Sequence, residues 1–287
     1  MPPSAPTASG DLAALRAEID RVDDALHDLL MRRAALVEAV GASSDKAATR
    51  VALRPGREAA IIRRLLARHA GRLPRATLVR LWRELLAGTT AMQRPFVVAV
   101  CDPGPGCDLI QAAREQFGAL TPLRAHRTPA GALGDLPGGA ASVAVLPLPV
   151  QDEPAEAAWW TALPRRPVPR LYAVARLPFW APRPPGAPVA PALAVAAIAP
   201  DPSGRDRSLL GLALDRDTSR ARLAETLAAA GLAPATLILR RDPGEPFRAL
   251  AEVDGFVTDQ DPRLARLGAL APVVLGAYAV PESGEPT

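Results

Sequence analysis

Apolar residues recur at intervals of three and four along the first long segment of the chain, from Leu12 to Val40. This spacing predicts an amphipathic α-helix over residues 11–42. The apolar stripe is interrupted once, because position 33 is an arginine. A guanidinium group is costly to bury unless it finds a partner, so Arg33 is a candidate for binding a ligand.

Two shorter helical patterns follow, and each also places polar side chains on its apolar stripe. The second helix is predicted to begin at Pro55. The third is predicted to follow Pro74 and to end near residue 93, with an apolar stripe through Leu78, Leu81 and Leu85. The polar interruptions are Glu58 in the second helix and Thr89 and Gln93 in the third. Polar groups that converge from three helices favour a hydrogen-bonding pocket inside a helical bundle.

Cations beside this pocket indicate the charge of its ligand. Arg57 adjoins Glu58, and Lys46 lies on the loop before the second helix. Because guanidinium and ammonium groups bind carboxylates, we expect a small dianion. Arg16 precedes Arg33 by 17 residues, which is roughly 25 Å along a helix. If both arginines touch ligand, Arg16 must serve the pocket of a second chain, which implies an antiparallel, intertwined homodimer.

The pattern changes after the helical module, which we place at residues 11–94. Short apolar strands alternate with turns and helices and predict a small α/β segment over 95–163. Residues 164–191 are dense in proline and are interpreted as a linker. A β-α-β-β-α-β order predicts a ferredoxin-like domain over 192–281. The predicted fold class is therefore multidomain, α plus α/β, with residues 1–10 as a disordered tail.

The composition predicts where the protein is located and which kinds of site it lacks. The sequence has no apolar run of 18 residues and no signal-peptide pattern, so we expect a cytoplasmic protein with no membrane partner. Two cysteines, Cys101 and Cys107, do not make a disulfide framework, and no Cys/His cluster has the spacing of a metal site. A local bridge between the two cysteines stays open beside the interpretation that they are free thiols.

The basic residues are unevenly distributed. Residues 1–94 hold 16 Arg and Lys against 10 Asp and Glu, a surplus that fits either nucleic acid or a small polyanion. The cations singled out above lie on or beside apolar stripes and not along an exposed face, which argues against nucleic acid. Among 34 basic residues only Lys46 is a lysine, which marks it for attention.

Three segments of the helical region carry a family resemblance: LRAEIDRVDDALHDLLMRRAALVEAVG, RPGREAAIIRRLL and LVRLWRELLAGTTAMQ. In their order and spacing they resemble the all-helical chorismate mutases. The resemblance implies that Arg33, Arg57 and the partner chain's Arg16 bind the carboxylates and the ether region of the substrate. It also implies the intertwined homodimer.

The same resemblance assigns roles to the polar interruptions. Glu58 would bind the ring hydroxyl of the substrate, Thr89 occupies a position usually held by serine, and Gln93 would contact the ether oxygen. In the family a lysine follows the first-helix arginine by eleven residues, whereas Lys46 follows Arg33 by thirteen. Either the loop delivers Lys46 to the ether oxygen differently or Lys46 is a bystander.

The implied reaction is the pericyclic rearrangement of chorismate to prephenate. It needs no cofactor and no metal. Catalysis would rest on selection of the compact diaxial conformer and on stabilisation of the negative charge that builds on the ether oxygen.

The second half of the chain carries a weaker resemblance. The segments VVAVCDPGPGCDLIQAAREQFGAL and ASVAVLPLPVQDE are similar to the first lobe of prephenate dehydratases, and SLLGLAL onwards resembles the ACT regulatory domain. The Thr-Arg-Phe motif of the dehydratases would fall on Pro-Ala-Leu at 191–193. Of the ACT ligand motif Glu-Ser-Arg-Pro, Ile238 and Leu239 replace the first two residues and only Arg240 is retained. Both departures favour a reduced, non-catalytic remnant.

The leading hypothesis is a chorismate mutase of phenylalanine and tyrosine biosynthesis, whose ACT-like part could bind an aromatic amino acid as effector. One alternative is a bifunctional chorismate mutase–prephenate dehydratase. Another is an isochorismate pyruvate lyase on the same helical scaffold. The alternative outside enzymology is a helical dimerisation module with a ligand-sensing domain. Trp159 and Trp160, in a proline-rich region, are interpreted as packing anchors.

Overall fold

The computed structural model describes residues 12–42, 52–104, 108–165, 169–183, 190–215 and 217–284. The predicted tail at 1–10, Lys46 and Cys107 lie outside these ranges. The chain divides into two compact units, residues 1–50 and residues 51–287. The three predicted helices are therefore shared between the units, the first in one and the other two in the second.

The described part of the first unit is dominated by one helix, α1, from Leu12 to Gly41. Its 30 residues give it a length of about 45 Å. Within this helix no residue is buried, and the large apolar side chains of the predicted stripe are 45% to 61% exposed in the single chain. An amphipathic helix is stabilised mainly by covering its apolar face, so α1 presents a face suited to a partner.

The second unit begins with two helices, α2 (Pro55–Arg68) and α3 (Arg75–Gln93). Asp201 caps α2, because its carboxylate accepts hydrogen bonds from the backbone N–H groups of Gly56 at 2.9 Å and Arg57 at 3.0 Å. The unpaired N–H groups and the dipole of a helix favour an anion at this end. A Cβ atom at Gly56 would lie 2.0 Å from the carbonyl oxygen of Asp201, so this close approach requires glycine.

A mixed sheet, which has nine strands within the described ranges, forms the body of the second unit. Its first five strands along the chain are β1 (Val98–Cys101), β2 (Leu123–His126), β3 (Val143–Pro147), β4 (Tyr172–Leu177) and β5 (Ala192–Ala196). They lie in the order β2-β1-β3-β5-β4, with β2, β1 and β3 parallel. Helices α4 (Leu109–Phe117) and α5 (Pro129–Gly134) supply the crossovers that parallel neighbours need.

The remaining strands are β6 (Asp206–Leu214), β7 (Pro234–Arg240), β8 (Phe247–Asp254) and β9 (Val273–Ala279), which continue the sheet in the order β9-β6-β8-β7. Helix α6 (Arg220–Ala229) lies between β6 and β7 along the chain, and α7 (Pro262–Ala265) lies between β8 and β9. This is the predicted β-α-β-β-α-β order, but it begins at Asp206 and not at residue 192. Strand β5, predicted as part of it, pairs instead with β3 and β4.

The two halves of the sheet meet where β4 runs parallel to β9, with Ala173 paired to Gly276. Gly276 has a φ of 150°, and a Cβ atom there would lie 2.1 Å from the carbonyl oxygen of Ala173. Glycine at this position therefore allows the two halves to join as one sheet.

The interpretation of residues 164–191 as a linker is wrong for its middle part, because Tyr172–Leu177 forms strand β4 inside the sheet. The strand has the aromatic and β-branched residues that suit a pleated surface. Prolines flank it at Pro169 and Pro178, where no ladder hydrogen bond has to be donated. The high proline content marked the ends of a strand.

Candidate functional site

Glu58 lies on the buried side of α2 and forms an ion pair with Arg83 of α3. Arg83 Nη1 is 3.1 Å from Glu58 Oε2, and the two residues are 8% and 4% exposed respectively. Burial raises the pKa of Glu58, an effect that the charge of Arg83 opposes and that of Asp201 adds to. Burial likewise lowers the pKa of Arg83 to about 10, against the influence of Glu58. Both directions show that desolvation outweighs the mutual attraction of the pair.

The side chain of Arg57 faces a different direction from that of its neighbour Glu58. The residue is exposed, whereas Glu58 is buried, because successive positions on an α-helix differ by about 100°. The backbone N–H of Arg57 donates to the Asp201 carboxylate at 3.0 Å, which fixes the first turn of α2. A ligand that touched both residues would therefore approach the N-terminal end of this helix.

Thr89 and Gln93 lie one turn apart near the end of α3. Thr89 is buried, and its hydroxyl is 2.9 Å from the carbonyl oxygen of Leu85 and 3.1 Å from that of Leu86. Gln93 is half-buried, and its Nε2 donates to the carbonyl oxygen of Thr89 at 3.3 Å. The structure thus brings these two predicted residues together through the backbone of α3.

The remaining predicted site residues belong to the first unit or to the undescribed part of the chain. Arg16 is exposed and Arg33 is half-buried on α1. Their separation of 17 positions on one continuous helix corresponds to about 25 Å, so one small ligand cannot contact both. Lys46 lies outside the described residues. The predicted site therefore remains a prediction as an assembly.

Arg83 is a buried cation that the sequence analysis missed. The predicted apolar stripe of α3 runs through Leu81 and Leu85, but Leu81 is 55% exposed. The side that is buried holds Val79, Arg83 and Leu86, at spacings of four and three. The same spacing of three and four, applied to the neighbouring stripe of α3, predicts an arginine on a buried stripe. That arginine would lie beside the acidic interruption in α2.

The sheet holds a second group of polar side chains around a small cavity of about 70 Å³, which Leu193 also lines. Oε1 of Glu252 in β8 accepts a hydrogen bond from the hydroxyl of Tyr278 in β9 and lies 3.2 Å from Nη1 of Arg176 in β4. Burial raises the pKa of Glu252, but hydrogen bonds from Tyr278 and Thr236 and nearby arginine charges outweigh burial and leave this pKa below its usual range. Glu252 is therefore held as a carboxylate.

The positions predicted to lack the dehydratase and ACT ligand groups lie on or next to strands β5 and β7. Ala192 and Leu193 are buried in β5, and Leu193 is paired across the strands with Arg176 of β4. Arg240, the retained residue of the ACT ligand motif, donates from Nη1 to the carbonyl oxygen of Glu153 at 2.9 Å and also binds the carboxylate of Asp242. Its guanidinium is thus already engaged within the chain.

The two neighbouring tryptophans serve as packing anchors, which confirms their interpretation. Trp159 and Trp160 are 4% and 2% exposed and belong to the main apolar core. Their indole N–H groups donate to the carbonyl oxygen of Pro147 at 2.9 Å and to Oε1 of Glu153 at 2.8 Å. Both tryptophans are therefore satisfied inside the core.

The described residues contain neither a membrane-spanning helix nor a cluster of metal ligands. No described helix is long and apolar enough to cross a membrane. The same residues contain no cluster of three or more His, Cys, Asp or Glu side chains able to hold a metal ion.

The helical region has a family match that covers most of the predicted module. Residues 15–94 match the family model described as chorismate mutase type II. The matched range contains all seven predicted site residues. The resemblance recognised in the sequence is thereby confirmed for this region.

Curated relatives extend the similarity beyond that range. The chain is 34% identical over 111 residues to a bifunctional chorismate mutase/prephenate dehydratase of Stutzerimonas stutzeri, a match that covers 37% of this chain and 30% of the relative. It is 32% identical over 130 residues to a protein of the same name from Aquifex aeolicus, covering 44% of this chain and 34% of the relative. Both alignments are longer than the stretch 15–94. The chain thus aligns with about a third of the length of these relatives.

Solved structures match this chain at lower sequence identity than the relatives above. A prephenate dehydratase from Streptococcus mutans covers 64% of this chain and 97% of its own, with 16% identity and a TM-score of 0.46. A TM-score at this level is too low to argue a shared fold, so the proposals below rest on the helical region and on the geometry of the described residues.

Proposed function

We propose that the helical region is a chorismate mutase that converts chorismate to prephenate in the cytoplasm, as a step of phenylalanine and tyrosine biosynthesis. The observation that carries this proposal is the family match over residues 15–94, which contains every predicted site residue. The ion pair of Glu58 with Arg83 at 3.1 Å adds support, because it fixes the orientation of one predicted site residue.

The proposed chemistry needs positioning and charge but no cofactor. Arg33, Arg57 and the partner chain's Arg16 would hold the two carboxylates in the compact conformer, in which the reacting carbons approach each other. Gln93, with Lys46 if the loop delivers it, would donate hydrogen bonds to the ether oxygen as the C–O bond breaks. Thr89 would line the pocket at the position usually held by serine.

Glu58 has a defined place in this proposal. Its Oε2 is held by Arg83 at 3.1 Å, and the carboxylate would also accept a hydrogen bond from the ring hydroxyl of the substrate. Arg83 would act as a positioning residue that keeps the Glu58 carboxylate charged and oriented.

The proposed active form is an intertwined homodimer. Helix α1 carries an apolar stripe whose side chains are 45% to 61% exposed in the single chain. A second copy of α1 would cover this stripe in an isologous contact. Because Arg16 and Arg33 are too far apart to share one ligand, each pocket would take Arg33 from one chain and Arg16 from the other.

A second candidate function is a bifunctional enzyme that also dehydrates prephenate. The relatives named above carry both activities in their names, and their alignments extend past residue 94. They favour this alternative over a non-catalytic second half. A local observation also supports it: Arg176 lines the small cavity together with Leu193, so this cavity keeps an arginine although Ala192, the position of the motif's own arginine, pairs with Leu177.

One experiment separates these functions. Purified full-length protein is incubated with chorismate, and the loss of chorismate and the appearance of prephenate are followed at neutral pH. Prephenate is then supplied alone, and phenylpyruvate is measured without acid treatment. We expect chorismate loss to depend on Arg33 and not on its exposed neighbour Arg32, so the matched variants are Arg33→Ala and Arg32→Ala.

The outcomes discriminate among the alternatives. Failure to consume chorismate would exclude the mutase and favour the non-enzymatic module. Pyruvate release from isochorismate, supplied in a separate incubation, would identify the lyase. Phenylpyruvate formation that is lost in Arg176→Met would establish the bifunctional enzyme. If no phenylpyruvate forms, the second half would remain as a regulatory part, and binding of an aromatic amino acid to the ACT-like strands would be the next measurement.

A further inference from the structure

A cavity of about 300 Å³ lies between α3, α4 and the segment that follows β4, all within the second unit. It is separate from the proposed mutase residues, since none of Arg57, Glu58, Thr89 and Gln93 lines it. Cavities that bind small molecules begin at about this volume.

Two arginines line this cavity with the same unusual arrangement. Arg83 is 4% exposed, donates from Nη1 to Glu58, and has a buried Nε with no hydrogen-bond partner. The side chain of Arg183 is 16% exposed, donates from Nη1 to Glu115 at 2.5 Å, and likewise has a buried Nε with no partner. A buried N–H donor without an acceptor is costly, and such groups are rare in folded proteins. Both arginines line the cavity, and each guanidinium keeps donor capacity beyond its one ion pair.

The other walls determine what kind of acceptor fits. Phe179 and Trp180 line one part of the cavity, and the guanidinium carbon of Arg83 lies 4.7 Å from the centre of the Phe179 ring. Arg80 adds a third positive charge to the lining, against the one carboxylate of Glu115. The lining is thus positive at the arginines and aromatic beside them.

We propose that this cavity binds a small organic carboxylate that carries an apolar ring. The carboxylate is bound by the guanidinium groups of Arg83 and Arg183 that line the cavity, because each guanidinium has five N–H donors and its ion pair uses only part of them. The ring packs against Phe179 and Trp180, where aromatic faces favour offset contacts.

The site shares Arg83 with the mutase proposal but can be tested separately from it. Its other walls, α4 and the residues after β4, lie outside the family match at 15–94. Occupation of the cavity would, however, place a ligand on the guanidinium that orients Glu58. The site is therefore suited to influence the ion pair from its far side.

The test uses the full-length protein and isothermal titration calorimetry at pH 7. The probe is 3-phenylpropanoate, and 3-phenylpropan-1-ol, which has the same ring without the charge, is the matched ligand. The variants are Arg183→Met, which removes one donor and leaves the partly solvated Glu115, and Ala112→Leu, which fills the cavity without removing a charge. Arg64→Met, at an exposed arginine on α2, is the control.

We expect the acid to bind the parent protein and Arg64→Met equally, and the alcohol to bind neither measurably. Because charge-assisted hydrogen bonds are among the strong ones, Arg183→Met should weaken binding by roughly tenfold or more. Ala112→Leu should weaken binding by a similar factor even if Arg183→Met fails to fold, which circular dichroism would show.

Three results would overturn the proposal: no binding of the acid to the parent protein, equal binding of the alcohol, or full binding by the folded Ala112→Leu variant. Because the assay does not involve chorismate, its failure would leave the mutase proposal untouched. Absence of chorismate turnover with intact binding of the acid would contradict the mutase proposal and leave the cavity proposal standing.

Discussion

Glu58 of α2 and Arg83 of α3 form an ion pair with an N–O distance of 3.1 Å in a place where both residues are at least nine-tenths buried. Burial opposes both charges, so each depends on the other. Arg83 also lies against Phe179 and lines the cavity of about 300 Å³, so the pair connects α2 and α3 with the segment that follows β4.

Removal of one member of the pair should be severely destabilising. Arg83→Met leaves a buried carboxylate without its partner, and we expect a loss of about 3–5 kcal/mol in the free energy of unfolding. Urea denaturation measures it. The double variant Glu58→Met with Arg83→Met should recover most of the loss, and Arg80→Met, at an exposed position on the same helix, should cost little. A single-variant loss no larger than that of Arg80→Met would contradict the importance of the pair.

The pH dependence of stability should contain a contribution from Glu252. The pKa of Glu252 lies below its usual value of 4.5 in the folded protein. A carboxylate with a lowered pKa stabilises the fold above its unfolded pKa, and this contribution is lost as the pH falls through the folded pKa. The difference in unfolding free energy between the parent and Glu252→Gln should therefore be largest near neutral pH and shrink below pH 4.5. A difference that stays constant between pH 7 and pH 3 would refute this account.

The close approach of Gly56 to Asp201 should make this glycine sensitive to substitution. An added Cβ would meet the Asp201 carbonyl oxygen at 2.0 Å, so Gly56→Ala must displace the cap of α2. We expect a loss of about 1–3 kcal/mol, as for overpacking. Gly88→Ala is the matched change, because nothing lies within 4 Å of its added Cβ, and removing a helical glycine there should stabilise by about 0.4–1 kcal/mol. Thermal unfolding of both variants measures the contrast, which would be absent if Asp201 did not hold the helix.

Sharing of the proposed pocket between two chains predicts complementation. Arg16→Ala and Arg33→Ala should each abolish chorismate turnover as separate proteins. When the two are unfolded together and refolded as a mixture, hybrid dimers regain one pocket with both arginines, and total turnover should recover to about a quarter of the parental value. Mixing without refolding is the control. Recovery that never rises above the sum of the separate variants would argue for a pocket built within one chain.

Part of the candidate site could be predicted from the sequence because the helical period fixes which side of a helix each residue faces. Glu58 and Thr89 were found as polar interruptions of apolar stripes, and both are buried. Arg83 was missed, because the stripe on α3 was traced through Leu81, which faces solvent. A helix with apolar residues on several sides has more than one plausible stripe. Only the elements that pack against the helix decide which stripe is covered.

Local spacing and turn residues were enough to predict the helices of the first third, the alternating α/β character of the rest and the β-α-β-β-α-β order near the end. Long-range packing could not be predicted in this way. It placed β5 with β3 and β4, recruited Tyr172–Leu177 as a strand from a proline-rich stretch, and joined the two halves of the sheet at Gly276. It also set Arg83 and Arg183 beside one cavity. Such contacts link residues far apart in the chain, and the free energy that selects them comes from burial, which no local pattern records.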